Sequence, residues 1–227
     1  MQKTITRVGG ALVIGSMLLT TAPALAAGND KTSAAHSHSH DHSHGQSEAE
    51  KQIYKGYFED AQVKPRTLSD WEGDWQSVYP YLLNGSLDPV MAEKAAHGDK
   101  TAEEYRAYYA IGYKTDVNRI VIKGDKVSFY REAKPVEATY ADDGYEILTY
   151  KKGNRGVRYI FRKTGGDEKA PQFIQFSDHT IEPTKAGHYH LYWGNDRKGL
   201  LDEVTNWPTY YPFMMDGPEI VKEMAAH

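Results

Sequence analysis

The stretch FIQFSDHTIEPTKAGHYHLYW, residues 173–193, decides how this chain folds and what it holds. Both of its ends alternate with a period of two, the signature of strands, over Phe173–Ser177 and His188–Trp193. The middle contains Pro183 and Gly187 and reads as a loop that returns the chain antiparallel. On a strand, side chains alternate faces, so His188 and His190 point the same way, roughly 6–7 Å apart from the strand rise, and Tyr189 points to the other face. The return brings His179, at the end of the first strand, towards that pair. Three imidazole nitrogens suit Zn2+ and leave one position for another ligand. The same pattern also fits hydrogen-bonded histidines on a polar sheet face, and spacing alone leaves the two readings open.

The period of two extends upstream. Segments 117–122, 127–132, 136–140, 145–150 and 157–162 read as strands. Gly124-Asp125, Asp143-Gly144, Gly153-Asn154 and Gly165-Gly166 break them with turn chemistry. Short, regularly spaced strands predict a mainly β fold, an antiparallel sheet that curls into a barrel. Helices are predicted around it. One runs from Glu48 to about Asp60. A second opens at Asp88, the expected N-cap, with Pro89 as its first residue. A third follows the capping-box pattern Thr101–Glu104, and a last spans 218–224. Residues 207–212, rich in proline and aromatics, read as a loop.

The N-terminus has a different character. Lys3 and Arg7, the apolar run 9–19 and Ala24-Leu25-Ala26 form the pattern of a secretory signal peptide over 1–26. Residues 27–47 are polar and of low complexity, with His36, His38, His40, His42 and His44 on strict alternation. Such a segment reads as a disordered tail that captures divalent ions as an accessory to a folded site, or as a plain solvated linker. The folded domain is expected over 48–227, in the periplasm after cleavage of the leader.

Composition narrows the function further. The 227 residues carry a net charge of −4 and contain no cysteine. Thiolate ligands and cysteine nucleophiles are excluded, so a metal site must use nitrogen and oxygen. An acidic chain is a poor partner for nucleic acid. No segment after the leader is long and apolar enough for a helical membrane span. His97 sits at a helix end, where a cation is favourable on its own, and His227 is terminal. A zinc hydrolase would need a base beside the open metal position, for which Asp178 and Glu182 are the nearby carboxylates. No HExxH, GxSxG or glycine-rich phosphate loop is present. A lipocalin-like carrier of a small apolar ligand is the other alternative.

Several runs resemble the ZinT (YodA) family of bacterial periplasmic zinc-binding proteins: RTLSDW (66–71), WQSVYP (75–80), DGY (143–145) with ILTYK (147–151), GVRY (156–159), QFSDH (175–179) and NWPTYYP (206–212). The resemblance covers about Tyr57 to His227. It implies a lipocalin-like (calycin) antiparallel β-barrel with several peripheral α-helices, and Gly73-Asp74-Trp75 looks like the GxW pattern near the start of such barrels. It implies His179, His188 and His190 as metal ligands at one mouth of the barrel, with water, a carboxylate or a tail histidine in fourth place. It further implies a binding protein rather than an enzyme, one that captures Zn2+, and also Cd2+, for the solute-binding component of a zinc ABC transporter. Three imidazoles suit Cu2+, Ni2+ and Co2+ as well.

Overall fold

The computed structural model describes residues 47–202 and 205–226. The expected leader, the tail histidines and His227 lie outside them. Eight antiparallel strands pair in chain order, each with its neighbour, and the first closes onto the last. They are β1 (Gly73–Ser77), β2 (Arg119–Lys123), β3 (Lys126–Tyr130), β4 (Val136–Thr149), β5 (Arg155–Gly166), β6 (Phe173–Ser177), β7 (Tyr189–Gly194) and β8 (Thr209–Pro212). The predicted barrel is thus present, with three differences. The break expected at Asp143-Gly144 is a bulge inside one long strand: pairing shifts from Asp142 opposite Phe161 to Tyr145 opposite Tyr159, with Gly144 at φ +82°. An extra residue bends the strand without ending it. Likewise, β5 runs through Gly165-Gly166. Third, the expected loop at 207–212 supplies β8, which closes the barrel despite its two prolines because they lie at or outside its ends.

Alternation along the strands builds the lumen. Ile120, Ile122, Val127, Phe129, Tyr159, Phe161, Phe176, Tyr189 and Leu191 point inward and are buried. The short 3-10 turn Leu68–Trp71 plugs one end. Trp71 stacks on Phe176 at 4.7 Å and meets Phe161 edge-on at 5.9 Å. Trp75, the tryptophan of the GxW pattern, donates its indole N–H to the Trp71 carbonyl at 2.8 Å. The lumen is therefore filled with aromatic side chains, which leaves an apolar cargo little room and weighs against the carrier alternative.

The helices form an outer layer. The first, α1 (Glu48–Tyr54), is capped by Ser47 and Glu50 and stops well short of Asp60. Gly56 ends it at φ +89°, where an added Cβ would meet Arg155 backbone at 2.4 Å. Between β1 and β2 lie α2 (Tyr79–Leu83), unforeseen in the sequence, α3 (Asp88–His97) and α4 (Ala102–Gly112). Asp88 is not the N-cap of α3; it is the first helical residue, after Leu87, and its carboxylate pairs with Arg106 of α4. The capping box Thr101–Glu104 forms as expected. At the C-terminus, α5 (Gly217–Ala225) is capped by Asp216. Val78, Leu82, Met91, Tyr113, Tyr211 and Ile220 make a second core between these helices and the outer wall of the barrel. No helix of the described residues is long and apolar enough to cross a membrane.

Phe176 lies at the crossing of the luminal stack, against Trp71, Phe161 and Tyr189. Phe176→Ala is expected to cost about 3–5 kcal/mol of unfolding free energy by cavity formation, read from urea denaturation.

Candidate metal centre

The centre is assembled from the end of β6, the loop after it, and β7. Segment 64–71 ties that loop down. Arg66, buried, donates from Nε to Asp70 at 2.8 Å, from Nη1 to Asp178 and Thr180 at 2.6 Å each, and from Nη2 to the Thr184 carbonyl at 2.8 Å. Its guanidinium lies 4.1 Å from the Trp71 ring centre. Backbone bonds complete the staple: Lys64 N–H to Ile181 C=O at 2.8 Å, and Ala186 N–H to Asp70 C=O at 2.9 Å. Between these fixed points His179 adopts φ +65°. This left-handed conformation is uncommon outside glycine, and histidine is among the residues enriched in it. It turns the imidazole away from the path of β6.

The strand expected from His188 begins one residue later, at Tyr189, with His188 in the bend before it, yet the alternation the sequence suggests holds. Tyr189 is buried in the lumen, and His188 and His190 face the other way. That other way is outward, so the histidines lie on the outer wall of the barrel, under the helical layer, and not in a luminal mouth. Ring centres of His179, His188 and His190 form a nearly equilateral triangle, with separations of 6.0, 5.3 and 6.0 Å. One ligand atom from each lies within 4.8 Å of the others. His179 Nε2 and His190 Nε2 are 3.2 Å apart. A tetrahedral zinc with Zn–N bonds of 2.0–2.1 Å requires about 3.3 Å between nitrogens; the His179–His190 pair meets that spacing, and three imidazoles fit the ion by chemistry.

Neighbours orient each ring. His190 Nδ1 is 2.8 Å from Thr209 Oγ1, whose own proton goes to the Trp207 carbonyl at 2.9 Å. The hydroxyl has only one proton, so it accepts from His190 Nδ1–H. That fixes the tautomer and leaves the Nε2 lone pair for a metal. His179 stacks on Tyr54 of α1 at 4.5 Å, and His188 stacks on Tyr211 of β8 at 5.1 Å. A cleft of about 330 Å3, lined by these rings with Tyr109 and Trp207, opens over the centre. Burial, then the neighbouring His179 and His188 and the Arg158 guanidinium, holds the His190 imidazole well below its usual value and therefore neutral.

The chain matches, over residues 49–227, the family described as ZinT (YodA) periplasmic lipocalin-like zinc-recruitment. The chain belongs to the ZinT family. Among curated relatives of this ZinT chain, the probable metal-binding protein YrpE of Bacillus subtilis is 64% identical over 178 residues, covering 78% of this chain and 71% of that protein. The zinc-binding lipoprotein AdcA of Streptococcus pneumoniae is 49% identical over 179 residues, 78% of this chain but only 36% of AdcA. The ZinT chain thus spans about a third of the streptococcal protein's length. The crystal structure of the Zn(II)-bound ZinT-like domain of that AdcA superposes with a TM-score of 0.74 at 48% identity, over 76% of this chain and 97% of the domain.

The other candidate residues are placed differently. Asp178 is buried and held by Arg66, and Glu182 is exposed; neither lines a cavity at the histidines. His97 is exposed and pairs with Glu93 at 3.0 Å. The acceptor that orients His190 is Thr209.

Two outcomes follow from this geometry. Thr209→Val removes the acceptor for His190 Nδ1–H, and zinc affinity is expected to fall about 10–100-fold by competition titration, with the fold intact by circular dichroism. The folded His190 resists the proton that the unfolded chain takes up below about pH 6.5. Its contribution to stability is thus present above that pH and lost as pH falls. The Tm of metal-free protein should drop from pH 7 to pH 5, with a shallower slope in His190→Gln; equal slopes would contradict the role of His190.

Proposed function

We propose that this chain is an exported zinc-capture protein, which binds Zn2+ as cargo on His179, His188 and His190 on the periplasmic side of the membrane. The observation that carries the reading is the convergence of three imidazoles, with ligand atoms within 4.8 Å, on a wall where Thr209 presets the tautomer of His190. Three protein ligands and an exchangeable fourth suit capture followed by release; a closed four-ligand site holds metal more permanently. Cd2+ is a second cargo under this reading. The histidines at 36–44 feed ions to the centre.

The role is binding and transfer, without turnover. Asp178, the nearest buried carboxylate in sequence, is committed to Arg66. Delivery goes to the solute-binding component of a zinc ABC transporter. What supports this step is the relation to AdcA, a zinc-binding lipoprotein of which this chain matches only 36%.

Metal stoichiometry by native mass spectrometry tests the site. The full chain and a form lacking residues 27–47 are each expected to retain one zinc at the centre after dialysis. His188→Ala should weaken binding by more than about 100-fold, beyond the range of outer-shell losses. Affinity should also fall from pH 7.5 to pH 5, because the ligands must be neutral. Full zinc retention in a His179/His188/His190 triple alanine lacking 27–47 would overturn the assignment.

A further inference from the structure

Beside the histidines, α1 and the turn between β4 and β5 wall in a second cavity of about 570 Å3, with His179 and His190 on one side. This lies within the range of small-molecule sites, about 300–1,000 Å3. Its charge is unusual for a chain of net charge −4. Lys55, Lys152 and Arg158 line it together with Arg155, whose guanidinium is paired with Asp60, and among the described residues no carboxylate lines it.

Arg158 is the telling member. It is only 2% exposed, and among the described residues its Nε and Nη1 are buried without a hydrogen-bond partner. Its guanidinium lies 3.2 Å from the ring centre of Tyr192. The residue opposite it on β4, Glu146, is engaged by Arg197 at 2.9 Å. A buried cation without an anion is costly, and a cation–π contact returns only part of that cost. A divalent ion on His179 and His190 would add a second positive charge to the same wall.

We propose that this cavity takes a small organic carboxylate, anchored by Arg158 and reaching the metal on His179, His188 and His190 as its ligand from outside the triad. The inference rests on the metal reading above. The planar guanidinium fork matches a carboxylate, and Ile53, Phe58 and Tyr150 offer apolar walls to a carbon skeleton, which an inorganic anion lacks. Zinc then enters or leaves the protein as a mixed complex with the carboxylate, and anion concentration tunes retention.

Cobalt(II) loaded on the full chain gives a visible spectrum that reports its ligands, with succinate as the probe. Succinate is expected to shift the spectrum saturably, and the concentration required should rise at least about tenfold in Arg158→Gln, the loss of one charge-assisted contact. Arg158→Lys, a charge without the fork, should recover only part. Should Arg158→Gln not fold, the exposed pair Lys55→Gln/Lys152→Gln is expected to weaken succinate about threefold at low ionic strength. A spectrum indifferent to succinate, or the same titration in wild type and variants, overturns the proposal while leaving the metal site standing. Tighter binding of inorganic phosphate than of succinate overturns the carboxylate assignment. Failure of cobalt to bind the triad sinks the metal reading itself.

Discussion

The histidine centre depends on one buried guanidinium. Arg66 is removed from water and must find partners for its donors. It finds them in Asp70 on its own segment and in Asp178, Thr180 and the Thr184 carbonyl on the far side of the sequence. Two tasks are fulfilled at once. The ring face of Trp71 beneath it plugs the barrel, and the loop that carries His179 is pinned against residues 64–70. A buried ion pair adds little net stability compared with apolar packing, but breaking one is expensive. Its effect here is selectivity among loop conformations: satisfying Arg66 places His179 in its left-handed turn, facing His188 and His190.

The division between the two faces of the wall follows from the chemistry each must hold. The lumen is packed with aromatic rings whose exclusion of water stabilises the barrel. A metal ion with an exchangeable ligand needs neutral nitrogens that are shielded yet reachable. The outer wall under α1 and α4 provides this, because Tyr54 and Tyr211 cover the flat faces of two imidazoles while their edges face a cleft. The start of β7 serves both sides: Tyr189 in the luminal stack, His190 and the preceding His188 in the centre.

Much of this was legible in the sequence. The period of two gave the strands, the alternation of His188-Tyr189-His190 gave the shared face, and the return through Pro183 and Gly187 brought His179 to it. What stayed hidden was tertiary. Gly144 carries turn chemistry, but pairing on both sides absorbs it as a bulge. Trp207–Pro212 looks like a loop until closure demands an eighth strand; its alternating Thr209, Tyr210 and Tyr211 was the available signal. Glu48–Asp60 shows one broad apolar face at Ile53, Tyr54, Tyr57 and Phe58, yet Gly56, passing close to Arg155 backbone, ends the helix early. Neither Thr209 nor Arg158 can be recognised from local pattern, because their roles arise from what other strands place beside them.

The ladder between β7 and β8 is the shortest of the barrel, registered only at Tyr189–Tyr210 and His190–Thr209. His190 and Thr209 are joined there a second time through their side chains, and His188 leans on Tyr211 across the same seam. The centre therefore spans the place where the cylinder is most weakly sewn. An ion on His179, His188 and His190 would join β7 directly to the loop after β6 and reach β8 only through Thr209 and the Tyr211 ring, which links occupancy to the cohesion of this wall. The short β7–β8 ladder thus relies on the same two side chains, Thr209 and Tyr211, that orient His190 and cover His188.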